Sequence, residues 1–341
     1  MSRATIKDIA KILGISPSTV SRALKDHPDI SEKTKQAVRE VARQLNYRPN
    51  LLAQKLRTKR SNLIGVIIPQ IVHFFFSSII SGIEDYAYEK GYTVIVAQSN
   101  ENYQREVKNV QVLLDSGIDG ILISRTKQTT DFTHFKEILK NDIPIVFFDR
   151  SCPSIDVDKV VVNDEIAAYR ATKYLLETGC RKIIHFSGPE NLVISTKRLT
   201  GYKEALREYN IPIDRKKIIK CDTFEAGQKI TQQLLDKAIE FDAIFAVNDD
   251  SAAGALITLQ KNGVKIPEQV SVFGYSNSII SQVTTPKLST VEQRGYEMGY
   301  VAARMLIERI EGKARPKPRL EVVSTKLIIR ESTRKLDKID F

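Results

Sequence analysis

Residues 14–24 read GISPSTVSRAL, and the reading of this stretch decides what the N-terminal part of the chain is. Gly14 tolerates the positive φ that ends a helix. Ser16 suits an N-cap, and Pro17 suits the first helical position behind it. Val20 and Leu24 then form a narrow apolar stripe, leaving Pro17, Ser18, Thr19, Ser21 and Arg22 on the other side. Upstream, Thr5 is an N-cap with Asp8 at capping-box spacing, and Ile6, Ile9, Ala10 and Leu13 recur at helical intervals. Downstream, a third helix starts after Ser31 and aligns Ala37, Val38, Val41 and Leu45. Two short helices joined by a glycine turn and backed by a third make a helix-turn-helix, whose second helix enters the DNA major groove by its N-terminal residues.

The residue types suit that role. Arg22 can donate a bidentate pair to guanine, Ser18 can bond several base edges, and Pro17 offers apolar contact to a thymine methyl. Thr5, Ser16, Thr19 and Ser21 are placed for phosphates, which position a domain without specifying sequence. Capping and solvation of a surface helix is the plainer reading of the same hydroxyls, and for Ser16 the two stand level. Charge separates them. Residues 1–60 carry fourteen Lys and Arg against five Asp and Glu, so +9 of the chain's +11 lies there, while the remaining 281 residues are close to neutral. A basic head on a neutral body is the footprint of polyanion binding.

Residues 47–69 follow as YRPNLLAQKLRTKRSNLIGVIIP. Pro49 closes the third helix and Asn50 caps a segment to Arg57 that is too short to be helical alone in water. Leu51, Leu52 and Leu56 sit among basic residues, as in a helix that orders on DNA and wedges a leucine into the minor groove. An ordinary linker helix is the alternative.

The body reads as alternating β and α. LIGVIIP, YTVIVAQ, GILIS and IPIVFFD are apolar strand-like runs between helical patterns, and KIIHFSG, KIIKCD, DAIFAVND and QVSVFGYS form a second series. This spacing predicts two similar halves, each a doubly wound parallel sheet with helices on both faces. Ligands of such sheets sit beyond the carboxyl ends of the strands, here between the halves. Strand-end candidates are Phe74, Phe75, Asp149, Arg150, Arg198, Asn248, Asp249, Ser276 and Asn277. The aromatic pair reads equally as core, and Asn248 as a helix cap.

Enzymatic signatures are missing: there is no phosphate loop, no GxGxxG after a strand and no GxSxG elbow. The four histidines are isolated and the three cysteines scattered, which predicts reduced thiols and no metal site or cofactor. No apolar run spans a membrane, and the charged start MSRATIKDIAKILG is not a signal peptide. The expectation is a cytoplasmic, nucleoid-associated protein without membrane contact. A solute-binding receptor would share the body but has no use for the basic head.

TIKDIAKILGISPSTVSRAL, the YRPN turn and Leu56 resemble the LacI/GalR family of bacterial transcription repressors. The resemblance runs on through IGVIIP, GIDGILIS, IPIVFFDR, RLTGYKEAL, AIFAVND, SVFGYSN and LSTVEQ. It implies a helix-turn-helix head over residues 1–49, a hinge helix over 50–60 with Asn50, Ala53 and Leu56 at the DNA, and a body over 61–341 resembling periplasmic sugar-binding proteins. The body's N-subdomain would comprise 61–161 with 291–323, and its C-subdomain 162–290 with 324–341. The resemblance further implies a homodimer on a near-palindromic operator, switched by a carbohydrate-derived effector in the cleft. The sequence departs from the family's pattern at Ser276, where relatives commonly carry Asp, and at Arg294, where Pro is common. A lost carboxylate beside Arg150 and Arg198 predicts a cationic pocket and an anionic effector, such as a sugar acid or sugar phosphate.

Overall fold

The computed structural model describes residues 4–47 and 60–336. The chain divides at Ser61 and Asn62 into two compact units. The first contains α1 (Ile6–Leu13), α2 (Pro17–Leu24) and α3 (Glu32–Gln44). Each begins on a hydroxyl-bearing cap. Asp8 reaches back to accept from the Thr5 amide at 2.8 Å, Ser16 Oγ accepts from the Thr19 amide at 3.1 Å, and Ser31 Oγ accepts from the Thr34 amide at 3.2 Å. Gly14 turns the chain between α1 and α2 at φ +65°. Ile9, Val20, Ala23 and Val38 are wholly buried together. Burying each larger side chain contributes about 1.5–3 kcal/mol, which holds eight-residue helices that would not persist alone. Asn50, Ala53 and Leu56, and the hinge segment around them, lie outside the described residues.

In the second unit, β1 (Leu63–Ile68), α4 (Phe74–Glu89), β2 (Thr93–Gln98), α5 (Tyr103–Asp115), β3 (Gly120–Ile123), α6 (Thr133–Lys140), β4 (Ile145–Phe148) and β5 (Asp158–Val162) build the first lobe. Then α7 (Asp164–Glu177), β6 (Ile183–Ser187), α8 (Val193–Glu208), β7 (Ile218–Lys220), α9 (Phe224–Asp236), β8 (Ala243–Ala246), α10 (Asp249–Lys261), β9 (Ser271–Phe273) and α11 (Ile280–Val283) build the second. After β10 (Thr290–Glu292) the chain returns through α12 (Gly295–Ile310) and β11 (Leu320–Val323), and β12 (Lys326–Ile328) pairs antiparallel with β10.

The first sheet runs β11-β5-β4-β3-β1-β2 and the second β7-β6-β8-β9, with every pairing in both parallel. Apolar clusters lie on both faces of each sheet, so central strands such as β3 and β4 are apolar and buried throughout. Strands β5, β10, β11 and β12 escape a search for apolar runs. The first alternates in burial, and the others are three or four residues long and carry charges.

Helix α12 presses on α4 without intervening side chains at Gly82 and Gly299. A Cβ at Gly299 would stand 2.0 Å from the Ile79 carbonyl oxygen, and one at Gly82 would stand 2.1 Å from that of Tyr296. This contact ties the returning segment to the first lobe and fixes where the second connection between the lobes ends. Gly299→Ala gains helix propensity but forces two backbones apart. It is expected to lower stability by about 1–3 kcal/mol in urea unfolding. A neutral or stabilising result contradicts the close packing.

Candidate functional site

On the first unit, Thr5, Ser16, Pro17, Ser18 and Arg22 are exposed and Thr19 and Ser21 half-buried. Ser16 Oγ does more than cap: it also pairs with Ser18 Oγ at 2.7 Å and Thr19 Oγ1 at 2.8 Å, so three hydroxyls share one network at the start of α2. Arg22 Nη1 lies 3.6 Å from Asp29 Oδ2, with half of its side chain in solvent. An exposed pair of this kind is worth at most about 1 kcal/mol, so the guanidinium is free to exchange partners. The basic residues are not all equally available. Lys35 is nearly buried between Glu32 at 2.7 Å and Asp26 at 3.4 Å, and Arg39 bonds Asp26 at 2.7 Å. Both stiffen the α2–α3 turn, which a count of charges does not reveal.

On the second unit, the carboxyl ends of the strands open onto a cleft of about 590 Å³ between the lobes. Phe74, Phe75, Asp149, Arg150, Arg198, Asn248, Asp249 and Ser276 all line it. They are not equivalent. Phe74 is exposed at the start of α4, whereas Phe75 belongs to the first lobe's core. Asn248 caps α10: Oδ1 accepts from the Ser251 amide at 2.8 Å, and Nδ2 donates to the Asp222 carbonyl at 2.8 Å. Asp249 accepts from Thr290 Oγ1 at 2.6 Å and from the Ser278 amide at 2.7 Å, pinning β10. Asn277 instead accepts from Arg330 Nη2 at 2.7 Å, among the segments behind the cleft wall.

The cationic pocket expected from Arg150 and Arg198 is not what forms. Arg150 Nη1 bonds both Glu101 oxygens, at 2.8 and 3.0 Å. Arg198 is almost fully buried, donates from Nε to Asp164 at 2.8 Å and from Nη1 to the Val247 carbonyl at 2.6 Å, and stacks 3.7 Å from the Tyr275 ring centre. The third lining cation, Lys127, lies 3.2 Å from Asp222. Glu101, Asp149, Asp222, Glu225, Asp249 and Asp250 contribute six lining carboxylates against these three cations. The charge premise for an anionic effector therefore fails. The local sequence around each arginine hides its partner, which arrives from 34 to 49 residues away.

Sequence reasoning also missed Glu101, Lys127, Asp222, Phe224 and Gln293 in the lining. Asp222 and Phe224 flank Thr223, the cap of α9, so a strand-end search carried one strand further would have reached them. Contacts cross the cleft as well. Besides Lys127 and Asp222, Arg125 Nη2 donates to the Asn191 carbonyl at 2.7 Å, and His73 Nδ1 lies 3.2 Å from Asp250. Arg294, at the connection after β10, has φ +51° and an ion pair to Glu297 at 3.3 Å. A proline ring, fixed near φ −65°, cannot take that backbone.

Burial pushes the Asp149 carboxyl up to about 6, against the opposing charges of Arg150 and Arg198. A group raised in the folded chain binds its proton more tightly there than when unfolded. Stability is thus lost as pH climbs from the ordinary carboxylate range through about 6. Asp149→Asn removes this loss. The variant-minus-native difference in unfolding free energy is expected to be larger at pH 7.5 than at pH 4.5, by about 2 kcal/mol. Equal differences at the two pH values contradict a buried, proton-holding Asp149.

A capped helix-turn-helix with an exposed reading face, in one chain with a two-lobed body that has a polar cleft at its strand ends, defines a DNA-binding regulator with a ligand-binding body. Residues 5–50 match the family model of bacterial regulatory proteins of the lacI family. Residues 61–332 match the model of periplasmic binding proteins and the sugar binding domain of the LacI family. The chain is 35% identical to the HTH-type transcriptional repressor PurR of Vibrio atlanticus over 91% of its length and 93% of that protein. It is 34% identical to the ribose operon repressor of Halalkalibacterium halodurans over 97% of each. Among solved structures, the lac repressor dimer bound to operator and the anti-inducer ONPF matches with a TM-score of 0.86 and 26% identity, over 98% of this chain and all of that one. The chain belongs to the LacI family and is a transcriptional regulator with a DNA-binding helix-turn-helix and an effector-binding body. Among the described residues, no helix is long and apolar enough to cross a membrane and no cluster of His, Cys, Asp and Glu is arranged for a metal ion.

Proposed function

We propose that the chain acts as a homodimeric cytoplasmic repressor, and not as an enzyme, reading a near-palindromic operator with residues 1–49 and releasing or tightening its hold according to what occupies the cleft of residues 61–341. The observation that carries this reading is the solvent-facing start of α2, where Pro17, Ser18 and Arg22 stand exposed on a head that holds most of the chain's net positive charge. Arg22 reads a guanine, Ser18 and Pro17 contact neighbouring base edges, and Thr5, Ser16, Thr19 and Ser21 hold phosphates. The 50–60 segment acts as the hinge, with Asn50 and Ala53 against the DNA and Leu56 as the minor-groove wedge. The lac repressor structure, a dimer on operator, supports the two-fold arrangement, since two heads on one axis read two half-sites.

In the cleft, Phe74 packs against a ring, Asp149 accepts hydrogen bonds from the ligand, Arg150, Arg198 and Ser276 add what their protein partners leave free, and Asn248 and Asp249 keep the wall in shape. A carbohydrate-derived effector fits a body matched by a sugar-binding family model. Cleft occupancy biases the three connections between the lobes, coupling ligand to DNA by about 1–3 kcal/mol.

Selection of duplexes from a random-sequence library by the purified full chain tests the reading. The enriched site is expected to be two-fold symmetric. Arg22→Ala should cost about 1–3 kcal/mol on that site and relax one symmetric pair of positions, as read by fluorescence anisotropy. Unchanged base preference contradicts its role. Leu56→Ala should weaken the selected site by about tenfold or more while leaving random duplex nearly untouched. An equal loss on both removes the wedge. Affinity for random duplex should fall steeply between 50 and 200 mM salt.

A further inference from the structure

Among the described residues, three buried side-chain atoms of the cleft lining have no hydrogen-bond partner, Gln293 Nε2, Arg150 Nε and Ser278 Oγ, and of these Gln293 Nε2 sits on a connection between the lobes. Gln293 follows β10 on the second connection between the lobes and lines the cleft, 2% exposed. Its Oε1 accepts from Ser276 Oγ at 3.0 Å, while its Nε2 is buried with no hydrogen-bond partner. Native interiors rarely leave such a donor unmade, because an unsatisfied buried amide is costly. In this arrangement Ser276 Oγ donates to Oε1, and the two N–H bonds are what Gln293 has left to offer.

Elsewhere in the lining stands a group of opposite polarity. Asp149 is 5% exposed at the end of β4, accepts no hydrogen bond from any described side chain or amide, and has its nearest cation, Arg150 Nε, at 3.9 Å. The remaining charge leaves little room for an anion. Lys127, Arg150 and Arg198 each already face a carboxylate, so a phosphate or carboxylate entering the cleft would compete with those ion pairs, Arg150 Nε being buried without a bond, and would lie among six carboxylates.

We propose that Gln293 is a specificity-determining residue of this cleft, donating from Nε2 to a carbonyl, ring-nitrogen or ring-oxygen acceptor on an uncharged ring compound whose hydroxyl or amine donors face Asp149. This rests on the cleft being the effector site. Ser276 is engaged with Gln293, and the pair presents a donor to the cleft. That donor places the ligand against the connection itself, one residue before the left-handed turn at Arg294.

The test is calorimetric titration of the full-length chain with neutral pentoses, hexoses and ribonucleosides, each beside its phosphate ester or sugar acid. At least one neutral compound is expected to bind, with its charged counterpart at least tenfold weaker. Gln293→Glu keeps the acceptor for Ser276 and removes the donor, and should weaken that compound at least tenfold. If Gln293→Glu does not fold, Gln293→Met, near in size and without a donor, takes its place. Tighter binding of the charged counterpart, no binding by any neutral compound, or unchanged affinity in the Gln293 variant overturns the proposal. Asp149→Asn separates the two readings. If it weakens binding while the Gln293 variant does not, only the role of Gln293 falls; if neither variant matters, the cleft is not where the compound sits.

Discussion

Arg198 holds the ligand-facing side of the second lobe together. From one nearly buried guanidinium on α8, it bonds Asp164 at the start of α7, the carbonyl of Val247 at the end of β8, and the ring face of Tyr275 beyond β9. Tyr275 closes the loop by donating from its hydroxyl to the same Asp164 carboxylate at 3.1 Å. Asp164 directly follows the first connection between the lobes. The floor of the cleft and the point where the chain changes lobes are thus one structure. A buried pair such as this adds little net stability over apolar packing, but removal of one partner leaves a charge stranded at a cost of about 3–5 kcal/mol. Its effect is to make the local arrangement unique, so that whatever occupies the cleft acts on a stiff frame.

The same logic runs across the cleft. Arg150 with Glu101 and Lys127 with Asp222 pair two of the six lining carboxylates, His73 Nδ1 lies 3.2 Å from a third, Asp250, and the second and third of these contacts join opposite lobes. Closing or opening the cleft changes their distances and their access to water, which is how a small neutral ligand can act on connections it barely touches. Asp149 and Asp249 are both held near 6 by burial, so the cleft also carries proton-binding capacity just below neutrality.

The head was legible almost residue by residue, because caps, the glycine turn and apolar spacing are local signals. Thr5, Gly14, Ser16 and Ser31 each do in the structure what their position along the chain suggests. The alternation of apolar runs and amphipathic stretches likewise announced two parallel sheets, and strand-end position picked out eight residues that line one cleft. Pairing was not legible. Glu101 meets Arg150 and Asp164 meets Arg198 only through tertiary structure, so two arginines that read as free positive charge are spoken for. Gln293 was in plain view inside VEQRGYEMG, yet an amide carries no charge or periodicity to mark it. Only burial and the missing partner at Nε2 do so.

The central claim, that one chain couples a reading head to the occupancy of a cleft, is tested most directly by capture of sheared DNA from the source genome on the purified full-length protein. Captured fragments would be sequenced with and without a dialysable small-molecule extract of the same cells. The account predicts a recurrent near-palindromic site whose recovery rises or falls when the extract is added. A site recovered equally in both conditions would contradict the coupling, and no recurrent site in either would contradict sequence-specific reading itself.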